Sequence, residues 1–138
     1  MSAAPDNNLT EALRWLRQAE EHLSSARWSA QGQHWAFACF QCQQAAELAV
    51  KAILIRQGER VRTHGVVELV QRAKAYYNEI DQLLSAARRL DQFYIPTRDP
   101  DALPSGTAGQ HFDDNDFREA EIAAARVLEL VRRVLGPG

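Results

Sequence analysis

The sequence predicts an all-α protein, an up-and-down bundle of four to five helices. Apolar residues recur at three- and four-residue steps along most of the chain, and Gly and Pro interrupt this pattern at only a few places. No alternating run bounded by hairpin turns indicates a strand. The 138 residues are enough for one ordinary domain without disulfide or metal staples. We therefore expect one domain over residues 1–138, with flexible ends at residues 1–8 and 136–138.

The first predicted helix covers residues 9–29. Asn8 and Glu11 have the spacing of a capping box, in which side chains satisfy backbone amides at a helix start. The apolar residues that follow share one face: Leu9, Ala12, Leu16, Ala19, Leu23 and Ala26. Gly32 then marks a break before the next helix.

The second predicted helix covers residues 34–57 and is apolar nearly all round, which is typical of a helix buried on most sides. Its only polar stripe consists of Gln33, Gln44, Glu47 and Lys51, which fall near one line at about 100° per residue. Gly58 ends this helix. A charged loop over residues 59–63 follows.

Two further helices are predicted in the middle of the chain. His64-Gly65 leads into a third helix over residues 66–75. A fourth helical pattern covers residues 79–94. Its apolar residues in register are Ile80, Leu83, Leu84, Ala87, Leu90 and Tyr94.

One long loop and one last helix complete the pattern. Three prolines and two glycines exclude helix from about residue 95 to 112, and so long a loop in a compact domain is more often functional than idle. The acidic run at residues 113–116 caps the last helix and complements its dipole. The last helix carries its apolar residues on one side: Phe117, Ala120, Ala124, Val127, Leu128, Val131 and Leu135.

Composition narrows the function classes. The formal charge of −2 gives no general attraction to nucleic acid, so RNA or nucleotide binding requires a local patch. No targeting signal or membrane-length apolar run is present, which predicts a cytoplasmic protein without membrane association. Cys39 and Cys42 form a C-x-x-C spacing in mid-helix, where small buried side chains are favoured over a redox pair or half a zinc site. We expect no metal and no cofactor.

Arg98 is the first candidate for ligand binding. Prolines two residues to either side limit its backbone, so a stiff turn presents the guanidinium for forked recognition of phosphate oxygens. The alternative is a salt bridge to Glu47, Asp91 or Asp99 that fastens the loop onto the bundle.

Lys51 and Tyr94 have two interpretations each. Lys51 either faces a groove or pairs on the surface with Glu47, four residues earlier. Tyr94 either stacks on a base or lies in the core with its hydroxyl at the rim.

Two histidines are also candidates. His64 follows a loop that contains Arg60 and Arg62, and it either receives phosphate together with the helix amides or caps the third helix. His111 is the other candidate base near the long loop, although a loop histidine is usually just solvated.

The order of these features resembles the HEPN domain family, the nucleotide-binding domain of higher eukaryotes and prokaryotes. The resemblance rests on Gln-Gln-Ala-Ala-Glu-x-x-x-Lys-Ala at residues 43–52, on His64-Gly65, and on Asp-x-x-Tyr-Ile-Pro-Thr-Arg at residues 91–98. It covers about residues 13–135. The resemblance implies a bundle that dimerises and binds nucleotide or RNA between protomers, commonly beside a minimal nucleotidyltransferase in a toxin-antitoxin-like system. The predicted ligand-binding set is Arg98, Lys51, His64, Tyr94 and Asp91.

Some members of the family are ribonucleases that use an arginine and a histidine separated by about four to six residues near the start of the final helix. Here twelve residues separate Arg98 from His111. Arg17 with His22, and Arg27 with His34, have the spacing, but they lie in and after the first helix. The sequence therefore favours binding over cleavage.

Two alternatives remain open. One is a metal-independent endoribonuclease toxin that uses Arg98 and His111 in a different arrangement. The other is a ligand-free dimerisation or partner-binding protein that uses apolar surface on its first and last helices.

Overall fold

The structure, a computed structural model, describes residues 5–94, 103 and 105–136. Within those residues the fold is all-α, with six α-helices, one 3-10 helix and no strand, which confirms the predicted fold class. The elements are α1 (Pro5–Gln31), α2 (Trp35–Arg56), α3 (Val66–Ala73), the 3-10 helix (Asn78–Leu83), α4 (Leu84–Asp91), α5 (Ala108–His111) and α6 (Asp114–Leu135). None of the helices in this part of the chain combines the length and apolar character needed to cross a bilayer.

Helix α2 is the centre of the bundle. It packs against α1 along its length and also contacts α3, α4, α5 and α6. Alanines at many of its buried positions let these neighbours approach closely, and larger side chains such as Ile53 and Leu54 fill the core. The prediction of a helix buried on most sides is therefore confirmed.

Helix α1 is longer than predicted. It begins at Pro5, where proline's missing N–H costs nothing because the first amides of a helix lack intrahelical partners. Asn8 consequently lies inside the helix, and the predicted capping box with Glu11 is wrong. Gln33 lies in the turn after α1 with φ of +63°, outside α2, so the predicted polar stripe does not include it.

The helical pattern predicted over residues 79–94 is divided. Residues Asn78–Leu83 form the 3-10 helix, and α4 ends at Asp91. The Asn78 and Asp81 side chains in the first part weaken a regular α-helix because they compete for backbone hydrogen bonds. Ile80, Leu83 and Leu90 are nevertheless all buried, as their spacing predicts.

The segment before α6 contains a short helix where none was predicted. Thr107 and Gln110 form a reciprocal capping box that closes the single turn α5, next to Gly106 at φ of +70°. Asp113 and Asp116 form the same kind of box at the start of α6, which confirms the predicted acidic cap. The part of the predicted loop that contains Arg98 lies outside the described residues.

Candidate functional site

A buried ion pair lies on the side of α2 that faces the loop before α3. Nζ of Lys51 donates to Oε2 of Glu47 at 2.9 Å, and the two side chains are only 10% and 5% exposed. Lys51 lines a small pocket together with Trp15, Leu54 and Val61. The predicted pairing is confirmed, but its predicted surface location is wrong. Each charge is stable at this depth because the other neutralises it.

The same carboxylate holds His64. Nδ1 of His64 lies 3.2 Å from Oε2 of Glu47. A carboxylate only accepts hydrogen bonds, so Nδ1 carries the proton. In the neutral ring Nε2 is then an acceptor. The His64 side chain is 60% exposed, so a fixed ring is accessible to solvent above a buried charge pair.

Two glutamines complete the polar network. Nε2 of Gln44 donates to Oε1 of Glu47 at 3.2 Å and to Oε1 of Gln43 at 2.7 Å. Nε2 of the fully buried Gln43 donates to the carbonyl oxygen of His64 at 2.9 Å. Both the backbone and the ring of His64 are therefore held from α2.

Asp91 joins the end of α4 to the start of α3. Its Oδ1 accepts from the amide of Val66 at 2.8 Å, and its Oδ2 accepts from the amide of Val67 at 3.0 Å. Gln43 donates weakly to the same carboxylate at 3.4 Å. The N-cap residue of α3 is Gly65, so the prediction that His64 caps this helix is wrong. The side chain that accepts from the first amides of α3 is the Asp91 carboxylate, 25 residues after Val66.

Aromatic rings form one wall of the site. The Tyr94 ring is stacked on the His64 ring, with centroids 6.1 Å apart and an interplanar angle of 12°. Phe40 of α2 also packs against Tyr94, at 6.1 Å between centroids. The structure thus brings together four of the five predicted ligand-binding residues, Lys51, His64, Asp91 and Tyr94. The fifth, Arg98, lies outside the described residues.

His111 lies in a different setting. It ends α5, is exposed, and contacts the carbonyl oxygen of Ser105 through Nε2. No hydrogen bond of the described residues links it to Glu47 or His64. The basic residue Arg60, which was assigned to the same corner as His64, forms an ion pair with Glu11 at 3.2 Å and lies over the Trp15 ring. Neither residue is held in the way that His64 is.

Sequence reasoning missed the central roles of Gln43 and Glu47. The sequence predicts Lys51 or Arg98 as the partner of Glu47, but not His64, and it predicts no partner for Gln43. The available signal was spacing, because Gln43, Glu47 and Lys51 recur every four residues on a helix that is mostly apolar. Three polar side chains buried on one line require partners from other elements.

The two cysteines are buried in the core, as predicted. Burial raises the pKa of the Cys39 thiol to about 12 and raises the pKa of the Cys42 thiol as well. The thiolate that redox chemistry or metal ligation requires is therefore disfavoured. Among the described residues, no cluster of three or more His, Cys, Asp and Glu side chains is suited to a metal ion.

Comparison with known proteins agrees with this architecture. The model of the HEPN domain matches residues 12–135. The crystal structure of TT1696 from Thermus thermophilus is 37% identical with a TM-score of 0.83, covering 87% of this chain and 94% of that chain. ST0689, described as an archaeal HEPN homologue, is 33% identical with a TM-score of 0.76, covering 91% and 98%.

A third structure shows the fold alone. This HEPN domain protein from Thermotoga maritima is 24% identical with a TM-score of 0.70, covering 88% of this chain and 97% of that chain. No curated protein matches the sequence. Since the family model covers most of the chain and two relatives exceed 30% identity, the chain belongs to the HEPN domain family.

Proposed function

We propose that the protein is a nucleotide- or RNA-binding module that recognises its ligand at the surface formed by His64 and Tyr94. The observation that carries this proposal is the fixed, exposed His64 ring. A buried carboxylate orients it and an aromatic ring supports it. Such a surface offers Nε2 for a hydrogen bond and ring edges for contact with a base.

The helix amides of α3 do not take part in this proposal. A helix N-terminus attracts phosphate through its unpaired N–H groups. Here Asp91 already accepts from the amides of Val66 and Val67, and its negative charge opposes an anion at that point. Asp91 thus occupies the N-terminus of α3, and a phosphate group of the ligand needs a positively charged side chain instead.

Arg98 is the residue that we propose to supply this positive charge. It follows Tyr94 by four residues, so its Cα lies within about 14 Å of the Tyr94 Cα by chain length alone. A long guanidinium side chain at that reach can contact a phosphate whose base lies against His64 and Tyr94. Lys51 contributes mainly by holding Glu47, because its ammonium is buried and paired.

Isothermal titration calorimetry with AMP, ATP and a short single-stranded RNA tests the proposal. We expect His64→Ala and Arg98→Ala each to weaken binding by at least about tenfold, as loss of a charged hydrogen bond does. His34→Ala is the matched control, since His34 is also exposed and lies about 20 Å along the axis of α2 from Glu47. Equal heats for wild type and His64→Ala would reject this site.

Endoribonuclease activity is the second candidate function, and the contact of Glu47 with His64 favours it. Nε2 of His64 would take the proton of a ribose 2′-hydroxyl, and the hydroxyl oxygen would form a bond to phosphorus. The bond from phosphorus to the 5′-oxygen breaks, and the proton passes to that oxygen. This assignment replaces His111, which the structure places at the end of the short helix α5.

Cleavage of a fluorogenic RNA in EDTA tests this second function. We expect His64→Ala and Glu47→Gln to abolish product with a 2′,3′-cyclic phosphate, and His111→Ala to leave it unchanged. Activity that survives His64→Ala would contradict it. Growth arrest on expression, removed by the same substitution, is the corresponding test in cells.

We also propose, from the family resemblance, that a minimal nucleotidyltransferase accompanies this protein. Co-expression of the chain with a nucleotidyltransferase encoded by a neighbouring gene, followed by co-purification, tests the pairing. Two proteins that elute separately at micromolar concentration would argue against it.

A further inference from the structure

A depression of about 360 Å³ lies at the end of the bundle where α1, α2 and α6 meet. Its apolar lining is formed by Ala30 of α1, Trp35 of α2 and Phe117 of α6. The Trp35 and Phe117 rings have centroids 6.3 Å apart and planes tilted by 38°. Small-molecule pockets begin at about 300 Å³, so the depression suits a small ligand with one or two rings.

Two ion pairs line the same depression. Nε of Arg27 donates to Oε2 of Glu121 at 2.6 Å, and Nη2 of Arg118 lies 3.4 Å from Oδ2 of Asp114. Within the described residues neither Nη atom of Arg27 makes a hydrogen bond, so these donors are available to a ligand. The Arg118–Asp114 contact is long, and the two side chains are 67% and 62% exposed, so it holds both groups only weakly.

A neighbouring depression shows which feature is distinctive. It has a similar volume of about 350 Å³, lies between α1 and α6, and contains the same kind of ion pair, between Glu20 and Arg132. No aromatic ring from the described part of the chain lines it. The first depression therefore differs because it combines a pair of aromatic rings with both signs of charge.

We propose that the depression lined by Trp35 and Phe117 binds a free aromatic α-amino acid. The ring of the ligand packs against these two side chains. Its carboxylate accepts from the Nη atoms of Arg27, whose planar guanidinium suits forked binding of a carboxylate. Its ammonium group donates to Asp114, which Arg118 holds only weakly.

The charges of the depression favour such a zwitterion over a nucleotide. Two guanidinium groups and two carboxylates line it, so their formal charges sum to zero. A phosphate monoester carries a charge of about −1.5 to −2 at neutral pH, and the carboxylates of Asp114 and Glu121 would repel it. An amino acid carries one charge of each sign, which matches both kinds of group.

The depression is separate from the His64 site. Trp35 precedes Glu47 by twelve residues on α2, which is about 18 Å along the helix axis. The amino-acid site therefore goes beyond the proposed function and does not depend on it. A bound amino acid would contact all three long helices, so it should also raise the melting temperature of the protein.

NMR titration of isotope-labelled protein with L-phenylalanine and L-tryptophan tests the site. We expect the indole N–H resonance of Trp35 to shift and to saturate, with a dissociation constant below about 1 mM. Trp15 is the internal reference, because it lies about 22 Å along α1 from Ala30. Its indole resonance should stay in place.

Ligand analogues separate the three contacts. N-acetyl-L-phenylalanine lacks the ammonium group, L-phenylalaninamide lacks the carboxylate, and L-leucine lacks the ring. We expect each to bind at least about tenfold more weakly than L-phenylalanine, since each loses a charged hydrogen bond or the aromatic contact. Equal binding of all four compounds would overturn the assignment, and so would AMP that shifts Trp35 more strongly than the amino acids do.

Two variants at exposed positions connect each charge to its residue. Arg27→Gln should weaken L-phenylalanine at least about tenfold and leave L-phenylalaninamide nearly unchanged, because the amide has no carboxylate to lose. Asp114→Asn should do the same for L-phenylalanine and N-acetyl-L-phenylalanine. Arg132→Gln is the matched control, since it removes a similarly exposed ion pair between the same two helices, and it should bind as wild type does.

The outcomes distinguish this site from the proposed function. Circular dichroism checks that each variant is folded. No saturable Trp35 shift with either amino acid up to about 10 mM, or Arg27→Gln protein that binds as wild type does, would overturn the amino-acid site. Nucleotide or RNA binding at His64 without amino-acid binding would reject this inference alone, and the reverse result would reject the proposed function alone.

Discussion

Oε2 of Glu47 lies 3.2 Å from Nδ1 of His64. The carboxylate belongs to the most buried helix of the bundle, and the imidazole is exposed at the surface. Lys51 pairs with the same carboxylate oxygen, at 2.9 Å from Nζ to Oε2. This relationship makes His64 a positioned group rather than a solvated loop side chain.

The Glu47–Lys51 pair should behave as a unit in stability measurements. We expect Glu47→Ala to lower the free energy of unfolding by about 3–5 kcal/mol, because it leaves the Lys51 ammonium buried without a partner. The double variant Glu47→Leu with Lys51→Met should lose much less, since no isolated charge remains. Urea denaturation measures both, and equal losses in the two variants would contradict the coupling.

Asp91 should contribute more than an ordinary surface carboxylate. We expect Asp91→Ala to cost about 2–3 kcal/mol, because two backbone amides at the start of α3 lose a charged acceptor. Asp91→Asn should cost less, since one amide oxygen remains. Asp81→Ala is the control, because its contact with Lys74 is exposed and long at 3.4 Å, and a change of less than about 0.5 kcal/mol is expected.

The buried thiols should be unreactive in the folded protein. Burial raises the pKa of Cys39 to about 12, so almost no thiolate is present at pH 8. We expect labelling of both cysteines by a disulfide reagent to proceed only at the rate of unfolding, and to be complete in denaturant. Fast labelling of native protein would contradict the burial.

The same shift predicts the stability of the protein in alkali. The folded state retains the Cys39 proton between the ordinary thiol pKa of 9.0 and about 12, whereas the unfolded state releases it. The free energy of unfolding should therefore fall as pH rises through this window. The variant with Cys39→Ala and Cys42→Ala should show a smaller fall between pH 9 and pH 11, and an identical fall would exclude the thiols as its cause.

The cap of α6 gives a prediction at acid pH. The amide of Asp116 holds the pKa of the Asp113 carboxyl below its ordinary value of 3.8. A lowered carboxyl pKa stabilises the folded state above the unfolded value, and this stabilisation is lost as pH falls through the folded value. Asp113→Ala should be less stable than wild type at pH 7, and the difference should shrink below about pH 4.

Asp114→Asn is the control for the capping prediction. Asp114 lies next to Asp113 in the first turn of α6, but its described contact is an exposed ion pair with Arg118 at 3.4 Å. We expect only a small change in the stability of this variant at pH 7. If Asp114→Asn lost as much stability as Asp113→Ala, the cause would be the negative charge at the start of the helix rather than the cap.

Helical periodicity was sufficient to predict the bundle, because α1, α2 and α6 are long and each has a strong apolar pattern. The boundaries were less predictable. Asn8 and Glu11 match a capping pattern by spacing, yet Pro5 is compatible with an earlier start and the helix begins there. The short helix α5 depends on reciprocal hydrogen bonds between Thr107 and Gln110. A pair of residues three positions apart is too weak a sequence pattern to predict such a helix.

The site was predictable in part. His64, Asp91 and Tyr94 were identified from their motifs, but sequence spacing does not reveal contacts across 25 or 30 residues. The bond from the Val66 amide to Asp91 depends on how α3 packs against α4, and packing is a property of the folded chain. The same limitation applies to Gln43, which contacts both His64 and Asp91 only because α2 is central.

The most direct test of the central claim follows the histidine side chains by NMR during titration with AMP or a short single-stranded RNA. The chain has four histidines, His22, His34, His64 and His111, of which His22 and His34 serve as internal references. The account predicts that the ring resonances of His64 shift and saturate with ligand, while those of His22 and His34 stay in place. Saturable binding that leaves the His64 resonances unchanged, or no binding at all, would contradict it.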